Sequence, residues 1–384
     1  MCQRKNWVIF GLAGVIAFAG MAPPATAADP LSRATPESVG VSSTQLTAFV
    51  DSLDTQIIGL HSVMVLRKGS VIAEGWWPGQ SADQPHVMWS VSKSFTSAAV
   101  GLAAEENKLS LDDPVLSFFP EQAPESPSDH LRAMTVRHLL TMTCGHDREP
   151  PMNRGPGWVK RFLAHPVPRK PGTHFVYNSF GSYMLSAIVQ KVTGQTVRDY
   201  LTPRLFEPLG IPAPRWDESP DGVSLGGWGL FLTTEQMARF GQLLLQRGQW
   251  DGRQLLPREY VAAATSKQVD NSDGLAGLKA DWSQGYGYQF WMARHGAFRG
   301  DGLAGQFIVV LPEQDAVVLM TAQTPQMGRQ LATIWDELLP AFADDPLPED
   351  PAAASALTAR LQRLGTVDGT DTAPPQGRPA QIAQ

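Results

Sequence analysis

Ser90 and Lys93 are the residues in this sequence whose types and spacing most directly indicate chemistry. Residues 88–99 are typical of the first turns of a buried helix, and residues three apart on a helix share one face. A serine hydroxyl is a weak nucleophile until a base takes its proton, and a lysine whose pKa is lowered by burial can be that base. We expect Ser90 to cap this helix, where backbone N–H groups and the helix dipole would stabilise an oxyanion.

A structural interpretation of the same two residues is also open. Ser90 would then be an ordinary helix cap and Lys93 an exposed side chain. About one or two S-x-x-K matches are expected by chance in a chain of this length. The motif alone therefore does not decide between the two interpretations.

Composition is that of an ordinary globular protein. The chain has 384 residues, of which 43% are hydrophobic and 18% charged, which is enough for one large or two intertwined domains. The net charge of -6 argues against a nucleic-acid groove or a basic membrane-binding patch. The histidines form no H-E-x-x-H pattern, so we expect neither a catalytic metal nor another cofactor. No G-x-S-x-G elbow is present, which argues against an α/β-hydrolase.

The first 27 residues have the pattern of a signal peptide. Arg4 and Lys5 precede an apolar run at 8–19, and Ala25-Thr26-Ala27 is a small-residue cleavage site. A transmembrane anchor is the alternative, although the run is short for spanning a bilayer. The sequence thus predicts an exported protein, periplasmic or secreted, without a stable membrane span after cleavage. Cys144 would then be the remaining cysteine, and we interpret it as a small buried residue.

Strand patterns lie towards both ends of the chain and helical patterns lie between them. Residues 62–67 and 70–76 flank a tight Lys68-Gly69 turn and predict a β-hairpin. Further strands are expected at 287–293, 298–310 and 316–321, whereas residues 117–134 and 146–172 are typical of loops. We therefore predict an α/β (α+β) fold, an antiparallel sheet flanked by helices with a mainly helical domain inserted. The predicted segments are a signal peptide at 1–27, a sheet domain at 28–110 and 285–345, a helical domain at 111–284 and a flexible tail at 346–384.

Several motifs together resemble the family of serine β-lactamases, penicillin-binding proteins and related esterases and amidases, in its class C-like branch. The similarity extends from about residue 35 to 340. The motifs that carry it are Ser90-Val91-Ser92-Lys93, Leu109-Ser110-Leu111-Asp112-Asp113-Pro114-Val115, Arg137-His138-Leu139-Leu140-Thr141-Met142-Thr143-Cys144-Gly145, Tyr177-Asn178-Ser179, Gly226-Gly227-Trp228-Gly229-Leu230, Arg239-Phe240-Gly241-Gln242-Leu243-Leu244 and Gly300-Asp301-Gly302. The resemblance implies a β-lactamase/D,D-peptidase-like fold.

The resemblance also implies roles for residues in this chain. Ser90 would be the acylated nucleophile, and Lys93 and Tyr177 would together act as general base and general acid. Because a tyrosine ordinarily titrates near pH ~10, a nearby ammonium must lower its pKa or keep its proton mobile. The oxyanion hole would be the backbone N–H groups of Ser90 and Leu303. By motif position, the substrate would contact Asn178, Ser179, Asp301 and Gly302.

Two departures from the family pattern bear on substrate choice. The second element of class C β-lactamases typically ends in Asn, whereas here the third position is Ser179, with Asn178 in the middle. The third element usually reads K-T-G, and its lysine supplies a cation for the β-lactam carboxylate. Gly300-Asp301-Gly302 removes that cation and adds a negative charge, unless Arg299 substitutes for it. The Tyr177-Asn178-Ser179 form and the stretch 302–306 are most similar to the 6-aminohexanoate-dimer hydrolase and carboxylesterase members.

The sequence therefore predicts a serine hydrolase that cleaves small-molecule esters or linear amides through an acyl-serine. Two alternatives stay open at this point. The first is a β-lactamase or D,D-peptidase, which the missing lysine disfavours. The second is a non-catalytic penicillin-binding-like protein, which the retained Ser90, Lys93 and Tyr177 disfavour. Neither the natural substrate nor the oligomeric state is indicated by the sequence.

Overall fold

A mainly antiparallel sheet is assembled from strands near both ends of the chain. The computed structural model describes residues 29–152, 155–272 and 277–366. Within these residues one sheet has six strands in the order β2-β1-β10-β9-β8-β7, and each neighbouring pair is antiparallel. The strands are β1 (Leu60–Arg67), β2 (Ser70–Trp76), β3 (His86–Val87), β4 (Phe231–Leu232), β5 (Gln249–Trp250), β6 (Arg253–Gln254), β7 (Trp291–Met292), β8 (Phe298–Gly302), β9 (Gln306–Leu311) and β10 (Ala316–Ala322). The predicted hairpin is β1–β2, and β3–β4 and β5–β6 form small separate pairs.

Helices cover both faces of this sheet, and most of those between β3 and β7 pack together as the predicted helical region. The helices are α1 (Ser43–Gln56), α2 (Ser92–Glu105), α3 (Asp129–Ala133), α4 (Val136–Leu140), α5 (Trp158–Ala164), α6 (Ser179–Thr193), α7 (Val197–Leu201), α8 (Thr234–Leu245), α9 (Arg258–Ala264), α10 (Met327–Thr333) and α11 (Pro351–Leu364). Their starts follow local chemistry; Thr233, for example, forms a capping box with Gln236 at the start of α8. The predicted fold class is confirmed.

The central strands are apolar on both faces because each face meets a different layer of helices. On β1, Val63 and Val65 pack towards α1, whereas Met64 and Leu66 pack towards α2 and the helical region. All four side chains are fully buried. Alternate residues of a strand point to opposite faces, so the unbroken apolar run of β1 corresponds to a strand buried on both sides.

Two expectations for irregular and extended segments are wrong. The segments 117–134 and 146–172 are not loops throughout, since α3 and α5 form within them. The strand expected over 287–293 is reduced to Trp291–Met292. The chain cannot run straight there because Gln289 has a φ of 65° and its buried amide donates to the carbonyl oxygens of Leu139 and Leu140.

The sequence predicts a flexible tail from residue 346 apart from a possible helix near 352–364, and the structure has a helix at Pro351–Leu364. This segment is α11, which Asp350 caps and which packs against α1 and β2. Leu357 and Leu364 are each 3% exposed, and Arg360 forms ion pairs with Asp51 and Asp54 of α1. Residues 367–384 lie outside the described residues, as does the predicted signal peptide at 1–27.

None of the helices in the described part of the chain combines the length and apolar character required to cross a bilayer.

If α11 is part of the fold, truncating its buried face will destabilise the protein. We expect Leu357→Ala to lower the free energy of unfolding by about 2–3 kcal/mol, because it removes buried methyl groups and leaves a cavity. Urea unfolding of wild type and variant measures this difference. Ser355→Ala, at an exposed position of the same helix, is the matched control. Equal stability of Leu357→Ala and wild type would contradict the packing of α11.

Candidate active site

Ser90 lies in a short turn immediately before α2, not at the helix cap that the sequence predicted. The turn is a 3₁₀ helix of Trp89–Val91, and α2 begins only at Ser92. Trp89 has a φ of 44°, a left-handed conformation that is unfavourable for an aromatic residue and is characteristic of functional sites. In this strained turn the side chain of Ser90 is partly exposed.

The Lys93 amine is held beside Ser90 by three contacts. Lys93 Nζ lies 2.8 Å from Ser90 Oγ, 3.1 Å from Ser179 Oγ and 2.8 Å from the carbonyl oxygen of Gly227. The side chain of Lys93 is only 1% exposed. The interpretation of Lys93 as an exposed surface residue is therefore wrong.

Burial sets the protonation state of Lys93. Removal from water lowers the pKa of its amine to about 7, while the carboxylates of Glu149 and Asp301 oppose the change. A substantial neutral fraction therefore exists near pH 7. A neutral amine can accept the Ser90 proton across a 2.8 Å contact, which is the requirement for a general base.

Tyr177 completes the group around Ser90. Lys93 Nζ lies 4.8 Å from the centroid of the Tyr177 ring, which stacks on Trp291 at 5.2 Å. Burial raises the pKa of Tyr177, and the negative charges of Asp301 and Glu149 raise it further. A hydrogen bond with Ser90 opposes this rise.

This result bears on the two alternatives that the sequence left open for Tyr177. Its pKa is raised, so the expectation of a pKa lowered by a nearby ammonium is wrong, whereas a mobile proton stays a prediction. Tyr177 is consequently a neutral phenol at neutral pH, and Lys93 is the group able to take a proton. Tyr177 can donate its hydroxyl proton and receive another in return.

The two residues after Tyr177 have different positions. Asn178 is 1% exposed; its Oδ1 accepts the Gly181 N–H and its Nδ2 lies 3.1 Å from His146 Nδ1. It caps α6, and the substrate contact predicted for it stays a prediction. Ser179, in contrast, reaches the site through its contact with Lys93.

The third predicted element is β8, and its end lies against the segment that carries Ser90. A Cβ at Gly302 would stand 2.4 Å from the carbonyl oxygen of Met88, so only glycine allows this approach. Leu303 follows directly, with its side chain 60% exposed. This position suits the oxyanion role predicted for its backbone N–H, and the substrate contact predicted for Gly302; both stay predictions.

Asp301 carries a buried negative charge at this end of β8. It is 7% exposed, and burial raises the pKa of its carboxyl group, although the neighbouring Arg299 counteracts this. Arg299 Nε donates to Asp301 Oδ2 at 3.1 Å, and Nη1 donates to the carbonyl oxygens of Asp281 and Met292. Arg299 is 0% exposed, so it cannot replace the missing lysine as an open cation for a substrate carboxylate.

Sequence reasoning missed two contributors to this site. Gly227 supplies a carbonyl oxygen to Lys93 from a turn that only glycine permits, since a Cβ there would lie 2.8 Å from the Ser179 carbonyl oxygen. Glu149 accepts the backbone N–H groups of Ser179 at 2.5 Å and Phe180 at 3.1 Å. Gly227 lies in a glycine-rich motif that was visible in the sequence, whereas no spacing connects Glu149 to Ser90.

Together these residues can perform acyl transfer. A hydroxyl, an amine with a pKa of about 7 and a neutral phenol lie together, and the end of β8 packs against the segment that carries the hydroxyl. In the described residues no group of three or more His, Cys, Asp or Glu side chains is arranged to hold a metal ion.

Comparisons with known proteins agree with this arrangement. The model of the family described as Beta-lactamase matches residues 46–341. The chain is 25% identical over 326 residues to 6-aminohexanoate-dimer hydrolase from Paenarthrobacter ureafaciens, covering 79% of this chain and 80% of that protein. It is 25% identical over 346 residues to penicillin-binding protein 4 from Amycolatopsis lactamdurans, covering 79% and 86%. A penicillin-binding protein homologue from Caulobacter crescentus shares the fold with a TM-score of 0.60 at 19% identity, covering 78% and 99%.

The pH dependence of acylation should report the pKa of Lys93. We expect kcat/KM for a chromogenic ester to rise with pH through a midpoint near 7, since the protonated amine cannot act as a base. Initial rates between pH 5 and 9 measure the profile, and Lys93→Met, which has no ionisable group, should lose at least about a hundredfold in rate. The same midpoint in Lys93→Met would contradict this assignment.

Replacement of the Tyr177 hydroxyl should impair chemistry without unfolding the protein. Tyr177→Phe keeps the ring that stacks on Trp291, so we expect stability within about 1 kcal/mol of wild type and acylation slower by about 10²–10⁴-fold. Stopped-flow acylation and thermal unfolding measure the two effects. Tyr183→Phe, which removes a buried hydroxyl 3.2 Å from Ser219 Oγ, is the control. Tyr177→Phe at the wild-type rate would show that the hydroxyl is not used.

Proposed function

Because the chain belongs to the Beta-lactamase family, we propose that it is a serine hydrolase that cleaves ester or linear amide bonds through an acyl-serine intermediate. The observation that carries the proposal is the buried Lys93 amine 2.8 Å from Ser90 Oγ, with a pKa lowered to about 7. A non-catalytic binding protein would have no physical reason to keep a buried amine beside a partly exposed hydroxyl, because burial of a charged group is unfavourable.

The proposed reaction begins with neutral Lys93. Its amine takes the proton of the Ser90 hydroxyl as Oγ attacks the substrate carbonyl carbon. The oxyanion that forms is bound by the backbone N–H groups of Ser90 and Leu303. As the carbon–oxygen or carbon–nitrogen bond breaks, Tyr177 gives its proton to the leaving group and is reprotonated by Lys93. Water, activated by the same pair, then releases the acyl group from Ser90.

Charge at the third element supports esters and linear amides over penicillin-like acids. At this strand end the chain presents Asp301, and Arg299 is buried and bonded to it. A substrate carboxylate would therefore find no free cation in this ion pair. The relative named 6-aminohexanoate-dimer hydrolase supports a linear amide as the substrate.

We further propose that the hydrolase is exported, either to a periplasm or out of the cell. The support for this is the signal-peptide pattern of residues 1–27. An exported enzyme would meet its small-molecule substrate outside the cytoplasm.

A parallel burst assay separates the candidate activities. The protein lacking residues 1–27 is mixed with p-nitrophenyl butyrate, a linear 6-aminohexanoate dimer and nitrocefin, with Ser90→Ala as the control. We expect turnover of the ester or the linear amide, an acyl adduct on Ser90 by mass spectrometry, and little nitrocefin hydrolysis. Rapid nitrocefin turnover would indicate a β-lactamase instead. No turnover and no Ser90 adduct with any substrate would refute the hydrolase proposal.

A further inference from the structure

Glu149 is a carboxylate fixed next to the catalytic lysine by a helix terminus. Its Oε1 accepts the N–H groups of Ser179 and Phe180, the first two residues of α6. These N–H groups have no partner within a helix, and the helix dipole makes this end positive. A carboxylate is therefore held firmly at the start of α6, although Glu149 comes from a separate loop.

The contacts continue from Glu149 to the nucleophile Ser90 through two residues, Ser179 and Lys93. Ser179, whose backbone N–H binds Glu149, places its own hydroxyl 3.1 Å from Lys93 Nζ. Lys93 Nζ in turn lies 2.8 Å from Ser90 Oγ. A change at Glu149 can thus reach Lys93 in two ways, by moving Ser179 and by altering the local charge.

Few charged groups act on Lys93. Those that face it are Glu149 from the loop before α5 and Asp301 from β8, while Tyr177 is a neutral phenol. Asp301 is paired with the buried Arg299, so its charge is largely balanced. Glu149 has no such cationic partner among the described side chains, and its bonds run to backbone N–H groups.

We propose that Glu149 is a positioning residue of the hydrolase, whose charge holds the Lys93 proton and whose backbone contacts hold Ser179, so that Glu149 sets the lower pH limit of activity. This rests on the proposed function in that it takes Lys93 as the base. The negative charge stabilises protonated Lys93 and raises its pKa against the effect of burial. Removing the charge should lower that pKa and extend activity to lower pH.

Glu149→Gln tests the charge while keeping an oxygen that can accept the two N–H groups. We expect the acid limb of the kcat/KM profile to move down by about one pH unit, with KM nearly unchanged and unfolding similar to wild type. Glu149→Asp, which restores the charge on a shorter side chain, should move the limb part of the way back.

Asp221→Asn is the matched control. Asp221 accepts the N–H groups of Gly157 and Trp158 at the start of α5, as Glu149 does at α6, but no contact links it to Lys93. A merely structural loss of a helix cap should lower the stability of both variants and leave both acid limbs in place. An unshifted or upward-shifted limb in Glu149→Gln would overturn the inference.

Two further measurements test the inference without measuring activity. The second uses wild type alone, so it does not depend on the folding of a variant. Lysine labelled with ¹³C at Cε, with Lys93 assigned from Lys93→Met, reports its pKa directly by NMR; it should fall in Glu149→Gln. In wild type, added NaCl should lower the Lys93 pKa, because Glu149 is only partly buried and salt screens such charges. A Lys93 pKa that changes in neither experiment overturns this inference, whereas a wild type that acylates no substrate refutes only the proposed function.

Discussion

The amine of Lys93 is removed from water, and much of the surrounding structure compensates for that burial. An isolated ammonium in an apolar interior is strongly unfavourable, so it must be bonded, balanced by charge or neutralised. All three occur here: Ser90, Ser179 and Gly227 supply the contacts, carboxylates lie nearby, and the pKa falls to about 7. Burial is unfavourable for a charged lysine side chain. Here it also lowers the pKa of Lys93, so that its amine can act as a base at neutral pH.

Burial shifts the pKa values of Lys93 and Tyr177 in opposite directions. Burial disfavours the charged form of each group, and that form is the cation for lysine and the anion for tyrosine. The pKa of Lys93 therefore falls while that of Tyr177 rises. Burial thus leaves a substantial neutral fraction of Lys93 near pH 7, which can accept a proton, and keeps Tyr177 a neutral phenol, which can donate one.

β8 connects this chemistry to substrate choice. Its two faces differ, because Gly302 approaches the Ser90 segment closely while Asp301 pairs with buried Arg299. The glycine is required by the short distance to Met88, and the ion pair is tolerated because Arg299 also binds two carbonyl oxygens. The pair is not fully satisfied, since the buried Nη2 of Arg299 has no hydrogen-bond partner among the described residues. Because Arg299 is buried, this ion pair offers a substrate no exposed cation.

The sequence by itself determined the features that depend on local patterns. The Ser90–Lys93 spacing, the β1–β2 hairpin and the apolar strands all follow from residues close together in the chain. Motif resemblance added Tyr177 from further away. Even locally one detail was wrong, since the strained turn at Trp89 displaced the helix start beyond Ser90.

Only the tertiary structure decided what surrounds those residues. The Lys93–Gly227 contact joins positions 134 residues apart, and the Lys93–Ser179 contact positions 86 apart. Residue spacing in the sequence does not predict three further features. These are the capping role of Asn178, the buried Arg299–Asp301 ion pair and the packing of α11. The physical reason is that burial and the electric field at a group are sums over neighbours brought together by folding, so a pKa or an exposed face is a property of the assembled packing.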